Sequence, residues 1–229
     1  MLPDPTWFGV RRDQLLRYPR EMVTATDKDY RVLTSYAEEL FNQIYFQAQY
    51  DAEGQTIEIF QMLGARALTP FYIVPNVIDP HTIDLTFDQN SRPVVVWTTG
   101  GFAFAYFFDS LVGDYSTTQI GEGERVCCAM DYPHPTYILD GLADVQIFVQ
   151  SGNMLTRYQQ RDRYAIPYTM PEIPDDSLLL SCGFTGNLQF AVKVETTEMI
   201  LIAVGNDIVY QGNIAIGYAG DKDYGPYSQ

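Results

Sequence analysis

The sequence predicts a mainly β protein made of tandem antiparallel β-hairpins, arranged as blade-like sheets in an incomplete propeller or a sandwich, with one N-terminal helix. Three observations carry this expectation. Alternation with period 2 recurs along the chain, most clearly where Val145, Ile147 and Val149 interleave with Asp144, Gln146, Phe148 and Gln150. Turn chemistry follows at once in Ser151-Gly152-Asn153, because Gly and Asn take positive φ at little cost. The same order of strands and turns restarts near Ile83, Arg125 and Ser177, roughly 40 to 50 residues apart, which is the period of four-stranded propeller blades. Too few copies are present to close a propeller of about four to eight blades from one chain. Either the repeats pack as a sandwich or several chains complete the structure together.

In chain order, residues 1–80 read as an N-terminal arm, helix and hairpin region and 81–229 as the β-repeat region, separate from it or continuous with it. Pro3, Pro5 and Pro19 mark residues 1–26 as an extended arm, with Trp7 and Phe8 as anchors for a neighbouring subunit. Thr26-Asp27-Lys28-Asp29 is a helix start, since a Thr or Asp oxygen caps free N–H groups. Tyr30, Leu33, Ala37, Leu40 and Ile44 then form an apolar stripe at helical spacing. A strand competes from Phe41, because NQIYFQAQY also alternates. Asp51–Gly54 is a turn and Thr56–Met62 a strand. Pro70, Pro75 and Pro80 confine Phe71–Val74 to a short strand.

The regular region gives strands at Ile83–Phe87, Pro93–Thr98, Phe102–Asp109 and, as a polar edge, Tyr115–Ile120, with turns at Asp88–Ser91, Gly100-Gly101 and Gly113-Asp114. A second cycle runs from Arg125–Asp131 through Thr136–Leu139 to the hairpin of Asp144–Tyr158. A third has strands at Ser177–Cys182, Leu188–Val194, Met199–Val204 and Ile208–Tyr210.

Composition narrows the function classes. With 14 basic against 29 acidic residues the net charge is −15, which opposes binding to nucleic acid or to an anionic membrane surface. Such a charge gives solubility, an electronegative lumen or a face for a basic partner. Seventeen Tyr and a charged fraction of only 19% suit β faces that neighbours cover. The three cysteines lack a disulfide spacing. Cys127 and Cys128, adjacent in a strand, point to opposite faces and act as small hydrophobes. MLPDPTWFGVRR lacks the pattern of a signal peptide, and no apolar run reaches the roughly 18 residues of a membrane helix. The expectation is folding in a reducing cytosol.

Few residues carry recognisable chemistry. His81 and His134, each beside a proline, make neither a zinc site nor a triad. Gly121-Glu122-Gly123-Glu124 and Asp221-Lys222-Asp223 are acidic loops without EF-hand spacing. Asp88–Trp97 lacks the glycine and the order of the turn box found in sialidase-like propellers. No catalytic, cofactor-binding or metal residue is assigned, and no cofactor is expected. The one unusual charge group is Arg157, Arg161, Asp162 and Arg163, which reads as a hairpin end balanced by local ion pairs or as a contact on an acidic neighbouring subunit.

Asp144, Val145, Gly152, Asn153 and the run Tyr158-Gln159-Gln160-Arg161-Asp162-Arg163-Tyr164 together resemble a segment recurring in virion proteins of tailed bacteriophages. IDLTFDQNSRPVVVW upstream and LLLSCGFTGNLQFAVKV downstream resemble its flanking pieces, so the likeness covers about residues 80–195. It implies a virion or tail component; with the composition, the expectation is a structural subunit in the tail or head-to-tail region that acts by assembling with copies of itself and other virion proteins, while the net charge argues against binding nucleic acid or membrane. A receptor- or glycan-binding tail module is the alternative, and a virion-associated glycan hydrolase a third.

Overall fold

A computed structural model describes residues 7–8, 31, 33–39, 44–63, 65–131, 144–170, 172–173, 175, 177–185, 190–195, 200–204 and 207–212. These form four antiparallel sheets, met one after another along the chain. Sheet 1 contains β2 (Thr34–Glu39), β3 (Ile44–Asp51), β4 (Thr56–Leu63) and β5 (Ala65–Arg66), with β6 (Tyr72–Val74) also paired to β4. Sheet 2 is the meander β7 (Thr82–Phe87), β8 (Pro93–Thr99), β9 (Phe102–Asp109) and β10 (Asp114–Glu122). Sheet 3 repeats it with β11 (Arg125–Met130), β12 (Val145–Ser151), β13 (Met154–Gln159) and β14 (Tyr168–Thr169). Sheet 4 consists of β15 (Leu178–Thr185), β16 (Phe190–Glu195), β17 (Ile200–Val204) and β18 (Asp207–Gly212). β1 (Trp7–Phe8) lies along the free side of β15.

The alternation in the sequence decides the packing. Ile83, Leu85, Phe87, Val95 and Trp97 face sheet 1 and share a core with Ala37, Phe46, Ala48, Ile57 and Ile59. The intervening Val94 and Val96 face sheet 3, beside Val126, Cys128, Val145, Ile147 and Val149. Sheet 3 turns its other side, with Cys127, Ala129, Phe148 and Leu155, toward Leu179, Cys182, Val192 and Val194 of sheet 4. The inner two sheets are therefore covered on both faces, which is why β7, β8, β11 and β12 are buried almost throughout. Cys127 and Cys128 do point apart, into two different cores. β10 is the edge of sheet 2 and keeps a largely open, polar pattern. Pro93 opens β8, where its missing N–H is tolerated.

The first strands of sheets 1, 2 and 3 are tied together through one carboxylate. Asp84, 1% exposed in the middle of β7, accepts from the Ser35 hydroxyl of β2 at 2.5 Å and from the Cys128 N–H of β11 at 2.9 Å. Gln150 continues the link to sheet 4: its amide donates to the Ser177 carbonyl at 2.7 Å and its oxygen accepts from the Leu179 N–H at 2.7 Å.

The expected N-terminal helix is not supported where that stretch is described. Thr34–Glu39 and Ile44–Asp51 are paired strands, with Ser35 opposite Ala48 and Ala37 opposite Phe46. Tyr30 and Leu40 of the expected stripe lie outside the described residues. Leu33, Ala37 and Ile44 fit a helical spacing, yet Ser35 and Ala37 also fit a strand face. Tertiary context chose the strand, because it pairs the β2 backbone with β3 and brings Ser35 to Asp84. A sheet thus precedes the repeats that start near Ile83. Residues 132–143, including Thr136–Leu139 and His134, lie outside the described residues, as does Asp221–Asp223.

Candidate functional site

Antiparallel registers send the strands between two opposite ends of the stack. At the end where β7, β9 and β13 finish, buried carboxylates gather: Asp88, Asp109, Asp131 and Asp144. Asp88 accepts from the N–H groups of Asn90 and Arg92 and from Arg92 Nε at 2.8 Å. Asp131 accepts from the Asp144 N–H at 2.9 Å and from the Gln146 amide at 2.8 Å.

The hairpin arginines belong to this end. After β13 the chain makes a 3-10 turn at Gln160–Asp162, and Arg163 and Tyr164 follow at φ of 52° and 58°. Left-handed backbone in two consecutive residues without glycine costs about 1–2 kcal/mol each. Two contacts offset it: Arg163 forks onto the Asp109 carboxylate of sheet 2, with Nε 3.1 Å from both oxygens, and the Tyr164 ring packs edge-on to Phe107 at 4.8 Å. Arg161 instead holds Asp144 of its own sheet, Nε to Oδ2 at 2.5 Å, and its N–H donates to Oδ1 at 3.0 Å. Asp162 accepts from the Tyr168 hydroxyl at 2.7 Å, and Arg157 lies 5.3 Å over the Tyr168 ring. Arg157 of β13 and Asp162 of the 3-10 turn thus both meet Tyr168 of β14, while Arg161 and Arg163 each cover a buried acid. Trp7 and Phe8 are not brought to this hairpin; their backbone pairs with Thr185 and Phe184.

The two covered acids differ electrostatically. Asp109 is held below the usual carboxylate range, first by the hydrogen bonds from Arg163 and further by the N–H groups of Leu111 and Val112. Asp144 is pushed up despite Arg161, because loss of hydration outweighs the ion pair and Asp131 adds repulsion. Tyr164, buried near Asp144 and Asp88, is pushed well above its ordinary value by burial.

The opposite end is open. A cleft of about 540 Å³ lies where the first strands of sheets 2 and 3 begin, lined by Arg31, Asp79, His81, Thr98, Thr99, Gly100, Gly101, Gly123 and Glu124. Gly100 and Gly101, at φ of 57° and 83°, form the β8–β9 turn and leave its backbone uncovered. Gly123 is required for another reason: a Cβ there would stand 2.1 Å from Val149 Cγ1 and 2.9 Å from the Gln150 carbonyl. Arg31 Nη2 donates to Asp79 Oδ1 at 2.6 Å and to the Pro80 carbonyl at 2.5 Å. The Thr98 hydroxyl bonds Thr82 at 2.9 Å and the Glu124 carbonyl at 3.0 Å, which fixes the wall between sheets 2 and 3. In sequence His81 stands beside Pro80 and Glu124 in an acidic loop; only the stacking of the sheets brings them together with Arg31.

Among the described residues no group of three or more His, Cys, Asp or Glu could hold a metal ion, and no helix is long and apolar enough to cross a membrane. No protein-family model matches the chain, and no curated protein matches it.

Proposed function

We propose that this chain is a structural subunit of a tailed-phage virion, in the tail or head-to-tail region, working by assembly with copies of itself and with other virion proteins. The resemblance of residues 144–164 and their flanks supplies the virion context. The observation that carries an assembly role is the β9–β10 turn, where Leu111 and Val112 are 76% and 65% exposed beside the Arg163–Asp109 pair. Two adjacent apolar side chains on a tip next to a half-exposed arginine suit a protein contact with an apolar centre and a charged rim. Completion of a propeller-like ring, by this chain or by several chains together, belongs to the same reading.

The test is mass and incorporation. Light scattering on the purified chain is expected to give an oligomer, and proteomics of purified particles to find the chain. The Leu111→Asp, Val112→Asp double variant is expected to remain folded and to assemble at least tenfold more weakly. A stable monomer that is absent from particles would sink the reading.

A further inference from the structure

We propose that the cleft between Arg31, His81, the Gly100-Gly101 turn and Glu124 binds a neutral polyhydroxylated ligand, a mono- or disaccharide unit. The inference stands apart from the assembly reading and rests on three features of the cleft. Its volume of about 540 Å³ falls within the range of about 300–1,000 Å³ usual for small-molecule sites. The glycine turn supplies backbone without side chains above it, since nothing lies within 4 Å of a Cβ added at Gly100 or Gly101. Donors and acceptors of both kinds converge there. Arg31 serves Asp79 and Pro80 through Nη2 alone, so its other N–H groups have no partner among the described residues. The Glu124 carboxylate likewise has no partner among them, although its backbone is engaged by Gln150 and Thr98.

Charge then selects the ligand class. An anion would meet Arg31 but also Asp79 and Glu124, on a chain of net charge −15. A cation would meet the carboxylates but also the Arg31 guanidinium. A sugar hydroxyl both donates and accepts, so a polyol satisfies Arg31 and Glu124 together without bringing charge.

The experiment titrates the full-length ¹⁵N-labelled chain with the methyl glycosides of glucose, galactose, mannose and N-acetylglucosamine, with spermidine and inorganic phosphate as charged comparators. At least one glycoside is expected to shift the amides of Gly100, Gly101, Gly123 and Glu124 saturably. Its affinity should fall at least tenfold in Glu124→Ala and in Arg31→Gln, and stay unchanged in Thr118→Ala on the distant edge strand. Failure of every glycoside to shift these amides would overturn the proposal. So would a stronger response to spermidine or phosphate, or glycoside binding that survives both cleft substitutions.

Discussion

At one end of the sheet stack, carboxylates sit at 1–5% exposure under arginines and backbone N–H groups; at the other, Asp79 and Glu124 stand in an open cleft beside a glycine turn. The residue types are alike and the strands are the same strands. What differs is which connections pass over each end. The first end receives the turns that close β7–β8, β9–β10 and the 3-10 turn after β13, which are rich in Asp and Arg. The second receives the Gly-Gly turn and the crossing at Gly123-Glu124, where three glycines provide no side chain to cover the cleft. One end therefore locks sheet 2 to sheet 3, and the other leaves backbone and charge accessible.

Breaking the buried side should cost most. Asp84→Ala would strand the Ser35 hydroxyl and the Cys128 N–H inside the stack, and a loss of about 3 kcal/mol is expected in urea unfolding. Asp109→Asn should come next, because it removes the fork from Arg163 and leaves two left-handed residues without their main compensation. Asp144→Asn should cost less than Asp109→Asn at neutral pH, since burial already disfavours the ionised form there.

The same pair separates by pH, read from thermal midpoints. Asp109 is depressed in the folded state, so its contribution is present above the ordinary carboxylate range and is lost as pH falls through its folded value. Asp144 is raised, so its ionisation costs stability as pH rises through its folded value. Asp109→Asn should flatten the loss of stability on acidification, and Asp144→Asn should steepen it. If both substitutions shifted the pH profile in the same direction, the contrast between the two arginine pairs would be wrong. The smallest effect belongs to the open end, where Glu124→Ala is expected to change stability by no more than about 0.5 kcal/mol.

Much of the strand pattern was legible because period 2 and turn glycines are local signals. Val145–Ser151 and Met154–Gln159 flank the Gly152-Asn153 turn where alternation predicts them. Residues 34–39 were misread because Leu33 and Ala37, four apart, fit a helical stripe and a strand face alike, and only the pairing to β3 and the bond from Ser35 to Asp84, 49 residues on, chooses between them. The arginines stood out in sequence, but their partners did not: Asp109 is 54 residues from Arg163 and becomes its neighbour only when two sheets stack. The cleft was invisible for the same reason, since Arg31, His81 and Glu124 come from three separate stretches.

The asymmetry of the two ends is tested most directly by one paired measurement, urea unfolding of Asp109→Ala and Glu124→Ala beside the parent chain at neutral pH. A clear drop in midpoint is expected for Asp109→Ala, and for Glu124→Ala a midpoint indistinguishable from the parent. Equal losses, or a larger loss at Glu124, would contradict that asymmetry.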